Sequence, residues 1–141
     1  MDDEEEIYKE NILDHYKNPR NKKELKKCTI KHKETNIICG DEITIYIQIE
    51  KNKIKDIAFT GNGCAISQAS ISMLTEKIKG MPIKEVRKIT KENIIKMLGI
   101  PLSFVRTKCA LLSLKTVLRG IENEKAWNYW FTCRSKRNRD N

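Results

Sequence analysis

Apolar and polar residues alternate most regularly in the middle of the chain. Every second residue from 43 to 49 is isoleucine, with polar residues or tyrosine between them, which predicts a strand with one buried face. A turn at 51–53 and a second apolar segment at 54–60 predict that this strand continues into a hairpin. A weaker alternation at 28–32 predicts an earlier strand. The pattern therefore predicts three strands.

The remaining apolar residues recur at helical spacing. Pro19 ends the first predicted helix, because proline disfavours helical backbone in the residue before it. Thr90 and Gly99 are residue types that commonly begin and end a helix. The predicted helices cover residues 4–17, a segment that begins at Cys64 and stops at Gly80, a short segment at 82–88, residues 91–98, and a long segment from Thr107.

Length and composition favour one domain. The 141 residues, 39% of them apolar, are enough to bury a core, and we expect a domain at 1–123 followed by an aromatic and basic tail at 124–141. The acidic first residues differ from a secretory or mitochondrial leader, and no run of 18 apolar residues occurs. We therefore expect a cytoplasmic protein with no membrane partner.

The chain is basic, with 28 lysines and arginines against 19 acidic residues and a net charge of +9. Such a charge suits a nucleic-acid-binding module that contains a structural zinc, or an acidic partner. The lysines are scattered, however, and aromatic residues are not interleaved with basic ones as in RNA-binding proteins. We therefore favour a solvated lysine surface, and nucleic-acid binding stays a third hypothesis.

The five cysteines are odd in number and widely spaced. This favours reduced thiols with metal or sulfur chemistry over a secreted disulfide framework. Cys28 and Cys133 have no clear relation to the predicted elements, so we expect that they are not ligands. The other three lie where predicted elements begin or end: Cys39, Cys64 and Cys109.

Cys64 follows a glycine turn and opens a predicted helix. Gly61 and Gly63 are expected at positive φ, which lets the chain turn sharply. The free N–H groups and the macrodipole of a helix start favour a thiolate. Cys109 is expected in the first turn of the last helix, where the neighbouring Lys108 is expected to lower its pKa further. A buried core cysteine at 64 and a solvated lysine at 108 are the alternatives.

Element boundaries can meet at one end of a three-stranded sheet that has helices on one face. Cys39, Cys64 and Cys109 would then share a site with Asp41. Three thiolates and one carboxylate suit Zn²⁺ or an iron–sulfur cluster with one oxygen ligand. Carboxylate oxygen is a harder ligand than thiolate and suits such a cluster less well. A cluster held by this set is therefore expected to leave more easily than one held by four thiolates.

Four segments resemble the iron–sulfur cluster assembly scaffold family, which contains NifU N-terminal-like domains and the IscU and SufU proteins. Several separate motifs in the family's order make the resemblance specific, and it covers the chain from about residue 7 to about residue 122. The segments are 8–19 (YKENILDHYKNP), 39–41 (CGD), 61–73 (GNGCAISQASISM) and 108–116 (KCALLSLKT).

The resemblance implies an α+β fold of the SufE/NifU-like type, with a small three-stranded antiparallel sheet and helices packed on one face. It implies that Cys39, Asp41, Cys64 and Cys109 bind iron or a transient [2Fe–2S] cluster. It also implies two kinds of partner: a cysteine desulfurase that delivers sulfur as persulfide, and apo iron–sulfur proteins that accept the cluster.

Two features fit different branches of the family. Lys108 precedes Cys109, the last cysteine of the matching segments, as in SufU-like proteins, where many IscU proteins have histidine. The segment between Cys64 and Cys109 is short for the insertion typical of SufU. An IscU-like scaffold and a zinc-dependent SufU-type sulfurtransfer partner of a desulfurase therefore both stay open.

Our hypothesis is a scaffold that accepts sulfur and iron, assembles a [2Fe–2S] cluster and donates it. Such a protein is not an enzyme in the turnover sense, although sulfurtransferase-like activity accompanies the zinc alternative. Sulfur exchange is favoured when the attacking thiol is ionised. Cys109, assisted by Lys108, is therefore the expected first sulfur acceptor, and Cys39 is its rival.

Overall fold

The computed structural model describes the backbone of residues 3–127 and the side chains of residues 4–122. Three strands and five helices occur in this part of the chain. In chain order they are α1 (Asp3–Lys17), β1 (Ile30–Asn36), β2 (Asp41–Glu50), β3 (Lys53–Asn62), α2 (Ala65–Ile78), α3 (Ile83–Val86), α4 (Lys91–Leu98) and α5 (Phe104–Trp127).

The strands form one antiparallel sheet in the order β1-β2-β3. β2 and β3 are joined by a tight turn in which Lys51 and Asn52 both have positive φ, a backbone that matches the twist of the two strands. At the other end of the sheet Asn36 pairs with Asp41, and Glu42 pairs with Asn62. The end of β1, the start of β2 and the end of β3 therefore meet at one end of the sheet.

The helices cover one face of the sheet. α5 packs against β1 and β2, α2 packs against β3 and α5, and α1 packs against α2. The alternation in β2 explains this arrangement, because one set of isoleucines is fully buried while polar side chains lie on the opposite face. The core between sheet and helices includes Ile43, Ile45, Ile47, Ile57, Phe59, Ile71, Leu74 and Ile121. The predicted α+β fold is confirmed.

The boundaries of α4 agree with the sequence prediction. Thr90 accepts a hydrogen bond from the backbone N–H of Asn93, whose side chain in turn accepts from the backbone N–H of Thr90. Gly99 ends the helix with a φ of 72°, a left-handed conformation that glycine adopts without strain. In residues 3–127 we find no helix with the length and apolar character needed to cross a membrane.

α5 begins earlier than predicted. Ser103 accepts a hydrogen bond from the backbone N–H of Arg106 through its side chain, so the helix starts at Phe104 and not at Thr107. Cys109 consequently lies in the second turn of α5, and its predicted place in the first turn is wrong. α5 continues to Trp127, past the predicted domain end at residue 123. The rest of the predicted tail, with Cys133, lies outside the described residues.

Candidate metal centre

A four-residue loop between β1 and β2 carries Cys39. Gly40 has a φ of 70°, which reverses the chain before β2 begins at Asp41. Ile37 and Ile38 are 91% and 70% exposed, whereas Cys39 is half-buried and packs against the core. The loop therefore turns the Cys39 side chain toward the protein at the end of the sheet.

The glycine turn at the end of β3 makes room for Asp41. A Cβ atom at Gly63 would lie 2.3 Å from Asp41 Oδ1, and Gly63 has a φ of 152°. A Cβ atom at Gly61 would lie 2.2 Å from the backbone oxygen of Glu42. The predicted positive φ holds for Gly63 and is wrong for Gly61. Gly61 is required for a different reason, the close approach of β3 to β2.

Cys64 is the N-cap residue of α2, so its predicted place at a helix N-terminus is correct. Its Sγ accepts a hydrogen bond from the backbone N–H of Ser67 at 3.5 Å. Its own backbone N–H donates to Asp41 Oδ1 at 2.9 Å. This second hydrogen bond joins the start of β2 to the start of α2 and orients the carboxylate.

The carboxylate of Asp41 has one atom that the described protein does not satisfy. Asp41 is 1% exposed, and its Oδ2 is buried without a hydrogen-bond partner. Among the buried side-chain oxygens and nitrogens of the described residues, only Gln68 Oε1 shares this condition. A buried, unpaired carboxylate oxygen is costly, and a bound cation removes that cost. Oδ2 is therefore suited to be a metal ligand.

Cys109 places a second sulfur beside this carboxylate. Its thiol lies 3.1 Å from Cys39 Sγ, and the amide of Asn36 donates to it at 3.9 Å. The ligand atoms of Cys39, Asp41 and Cys109 all lie within 4.8 Å of one another. We call this set, together with the adjoining Cys64, the cysteine centre. In the part of the chain that the structure describes, it contains the only group of three or more possible metal ligands.

The four predicted ligands are thus brought together to different degrees. Cys39, Asp41 and Cys109 form the close group, which does not include Cys64. Cys64 lies near enough to the group for its side chain to raise the pKa of Cys109.

Cys109 is a neutral thiol in this environment. Burial raises its pKa, and the neighbouring side chains of Cys39, Asp41 and Cys64 raise the pKa further. Because metals bind the thiolate, a cation that enters the cysteine centre must displace this proton.

Lys108 does not assist Cys109. Its ammonium group lies 4.7 Å from the centre of the Phe104 ring, and it is not among the groups that shift the pKa of Cys109. Neighbouring residues on a helix point in different directions, so Lys108 is exposed while Cys109 is 2% exposed. The expectation that Lys108 and a helix start ionise Cys109 is therefore wrong. The role of Cys109 as sulfur acceptor stays a prediction.

Sequence reasoning missed Asn36, whose amide contacts Cys109. The available signal was its place as the last residue of a strand shortly before Cys39, and β-pairing sets it opposite Asp41. Cys28 is buried just before β1 and does not belong to the close group. His32 bonds to Glu34 through its Nε2 atom and is likewise outside the close group.

The chain is similar to known proteins in both sequence and fold. A model of the NifU-like N-terminal domain matches residues 7–128. The chain belongs to this family. The NifU-like chain is 33% identical to the zinc-dependent sulfurtransferase SufU of Bacillus subtilis, in an alignment that covers 86% of this chain and 94% of the relative. The family predicted from the sequence motifs is confirmed.

Other relatives carry different names. Identity is 36% with the iron–sulfur cluster assembly scaffold protein IscU 1 of Archaeoglobus fulgidus, over 82% of this chain and 74% of that protein. A solved structure of a putative SUF-system scaffold protein from Fervidobacterium islandicum superposes with a TM-score of 0.71 at 31% identity, over 82% of this chain and 96% of that one. A NifU-like N-terminal domain from Brucella abortus, at 21% identity and a TM-score of 0.72, shares the fold, over 86% of this chain and 96% of that chain.

Proposed function

We propose that this NifU-like domain is an iron–sulfur cluster assembly scaffold. In this function it receives sulfur and iron, builds a transient [2Fe–2S] cluster as cargo on Cys39, Asp41, Cys64 and Cys109, and passes it to apo iron–sulfur proteins. The observation that carries the proposal is the unpaired Asp41 Oδ2 atom, buried beside the sulfurs of Cys39 and Cys109. The names of the Archaeoglobus relative and of the Fervidobacterium structure support it.

Sulfur transfer begins at the more accessible thiol. Cys39 is half-buried and lies on a loop with exposed neighbours, whereas Cys109 is 2% exposed. The Cys39 thiolate attacks the outer sulfur of a cysteine desulfurase persulfide. The sulfur–sulfur bond of the donor breaks, its cysteine leaves as a thiolate, and Cys39 becomes the persulfide. Access therefore favours Cys39 over Cys109 as first acceptor.

Release of the cargo depends on Asp41. Its oxygen is a harder ligand than the three sulfurs, so the bond that it makes to iron is expected to break first. The hydrogen bond from Cys64 N–H holds Oδ1, which leaves Oδ2 as the atom that binds and lets go.

Zinc-dependent sulfur transfer is a second candidate function. The same thiols and carboxylate suit a tetrahedral Zn²⁺ site, and the Bacillus subtilis relative is named for this activity. A bound zinc keeps its cysteine ligands deprotonated. In this function the chain passes sulfane sulfur onward and has sulfurtransferase activity. A cytoplasmic location belongs to both candidates, because each requires reduced thiols.

Anaerobic reconstitution separates the two candidates. The protein is incubated with ferrous iron, cysteine, a desulfurase and a dithiol reductant that reduces persulfide sulfur to sulfide, and the absorption spectrum and iron and sulfide content are measured. A scaffold yields about two irons and two sulfides per chain, and Cys39→Ser, Cys64→Ser and Cys109→Ser each lose the chromophore. Protein that keeps tightly bound zinc, forms no chromophore and accepts sulfur from the desulfurase would overturn the scaffold proposal. Cys133→Ser, at a cysteine predicted not to be a ligand, is the control.

A further inference from the structure

Two serines join α2 to α5 at a fully buried position. Ser70 on α2 and Ser113 on α5 are both 0% exposed, and their Oγ atoms lie 2.7 Å apart. Both hydroxyls also lie within hydrogen-bonding distance of the backbone oxygen of Ala110, at 2.9 Å and 3.0 Å. We call these three residues the serine contact.

At the serine contact, hydrogen bonds as well as packing join α2 to α5. Each hydroxyl has one proton, so two of the three short contacts are hydrogen bonds at any moment. Every satisfied arrangement leaves Ser70 bonded to α5, either to Ser113 or to the Ala110 oxygen. Buried hydroxyls without such partners are costly, so sliding of one helix along the other is opposed at this point.

The serine contact lies close to the cysteine centre along both helices. Ala110 follows Cys109 in α5, and Ser70 lies in the second turn of the helix that Cys64 caps. Cys64 is also the predicted ligand that remains outside the close group. The distance between the sulfurs of Cys64 and Cys109 therefore depends on how α2 and α5 are held together.

We infer that Ser70 and Ser113 are positioning residues that set the spacing of Cys64 and Cys109 in the cysteine centre. The inference rests on the proposed function in so far as that centre binds a metal. Neither serine touches the cargo; both act through the helices that carry the ligands.

Ser72 provides a matched control on the same helix. It is also 0% exposed and its hydroxyl is also fully engaged, since it accepts from the backbone N–H of Arg20 and bonds to His15 Nδ1. These partners belong to α1 and the segment after it, which contain none of the predicted ligands. Ser72→Ala therefore removes comparable buried hydrogen bonds without loosening the contact between α2 and α5.

The first measurement is the affinity for Co²⁺, a coloured probe of thiolate ligands. Ser70→Ala is expected to weaken Co²⁺ binding about tenfold, the lower end of what outer-shell substitutions cost. Ser113→Ala is expected to weaken it less, because Ser70 can still donate to the backbone oxygen of Ala110. Ser72→Ala is expected to stay within about twofold of the parent chain while losing similar thermal stability. The Ser70→Ala/Ser113→Ala double variant is expected to bind about as weakly as Ser70→Ala alone, because Ser70→Ala already removes both hydrogen bonds between the helices.

The second measurement needs no metal. Disulfide formation with diamide, scored by peptide mapping, is timed between Cys64 and Cys109 in a Cys39→Ser background, and between Cys39 and Cys109 in a Cys64→Ser background. Ser70→Ala is expected to change the first rate at least about fivefold and to leave the second unchanged, because thiol exchange depends on access and approach.

The outcomes separate the inference from the proposed function. If the parent chain binds no Co²⁺, the proposed metal centre fails, and the cross-linking rates still decide the inference. If Ser70→Ala and Ser72→Ala alter both measurements equally, the serines are only structural and the inference is overturned. Should Ser70→Ala fold poorly, Ser113→Ala, compared with Ser72→Ala in both measurements, decides the inference from the α5 side with a smaller expected effect.

Discussion

Buried polar groups are paired by hydrogen bonds on the side of α2 that faces α1. At the cysteine centre, beside the N-terminus of α2, one is unpaired. Toward α1, the Ser72 hydroxyl contacts both His15 Nδ1 and the backbone N–H of Arg20 at 2.8 Å. At the cysteine centre, Asp41 Oδ2 is buried with no partner among the described residues, and the neutral thiol of Cys109 is held against other ligand atoms.

This difference separates groups that stabilise the fold from groups that are arranged for a ligand. On the α1 side, hydrogen bonds within the protein replace those that the buried groups would make to water. An unpaired carboxylate oxygen reduces stability until a cation arrives. We therefore expect substitutions at the cysteine centre to change binding more than stability, and substitutions on the α1 side to do the reverse.

Gly63→Ala should have the largest effect on the cysteine centre. The new Cβ would meet Asp41 Oδ1 at 2.3 Å in a backbone conformation that alanine rarely adopts. The strain is expected to cost about 1–3 kcal/mol of unfolding free energy. Displacement of the carboxylate is expected to weaken Co²⁺ binding about 10- to 100-fold. Chemical denaturation and metal titration measure the two effects.

Gly40→Ala is the control for backbone strain alone. Gly40 also has positive φ, 70°, and also lies beside a ligand, but a Cβ there would have no atom within 4 Å. The Gly40→Ala variant should lose stability while keeping its Co²⁺ affinity within about threefold of the parent chain. Equal loss of affinity in the two variants would mean that strain, and not the position of Asp41, controls the centre.

Asp41→Ala should slow release of the cargo. Removal of the hard oxygen ligand is expected to lengthen the lifetime of a reconstituted cluster about tenfold and to slow its transfer to an apo acceptor protein. The lifetime is followed by loss of the visible absorption in the presence of a chelator, and transfer by the spectrum of the acceptor. An unchanged transfer rate would contradict the role given to Oδ2.

Asp41→Asn tests whether Asp41 controls release of the cargo through its negative charge or through the hydrogen bond that it accepts from Cys64 N–H. Asparagine keeps an oxygen that can accept from Cys64 N–H, so the turn before α2 should be preserved, while the anionic ligand is lost. A cluster in this variant should be as long-lived as in Asp41→Ala. A short lifetime restored by asparagine would show that Asp41 acts by holding the turn.

Local patterns in the sequence were sufficient for much of the fold. The alternation in β2, the turn at 51–52 and the caps of α4 are set by neighbouring residues, and the structure has them where the pattern predicts. The place of Cys64 at the start of α2 follows from the same local logic, because a glycine turn separates a strand from a helix.

The environment of Cys109 could not be predicted in this way. Its depth depends on how α5 packs over β1 and β2, and its neighbours Cys39 and Asn36 are distant in sequence. Adjacency to Lys108 was misleading, since a helix directs the two side chains to different surroundings. The requirement for Gly61 likewise arises across strands, from the backbone of β2.

The smallest expected effect belongs to the α1 side and concerns pH. Burial lowers the pKa of His15 from its ordinary 6.5, and Arg20 lowers it further, against opposing effects of Glu76 and Asp14. The unfolded chain therefore takes up a proton before the folded protein does. The contribution of His15 to the unfolding free energy should be constant above pH 6.5, fall as the pH drops from 6.5 to the lowered pKa, and level off below it. Urea denaturation at closely spaced pH values measures this.

His15→Gln should make the unfolding free energy less dependent on pH below 6.5. Glutamine can still bond to Ser72 but does not titrate in this range. Asp14, whose pKa is lowered chiefly by hydrogen bonds from Arg20 and Asn18, loses its contribution only as the pH falls below 3.8 and does not interfere. The comparison of the two sides of α2 requires that the variant keep the parent's Co²⁺ affinity at pH 7.5. A weaker affinity there would mean that the α1 side, too, positions the cysteine centre, and the division between stability and binding would fail.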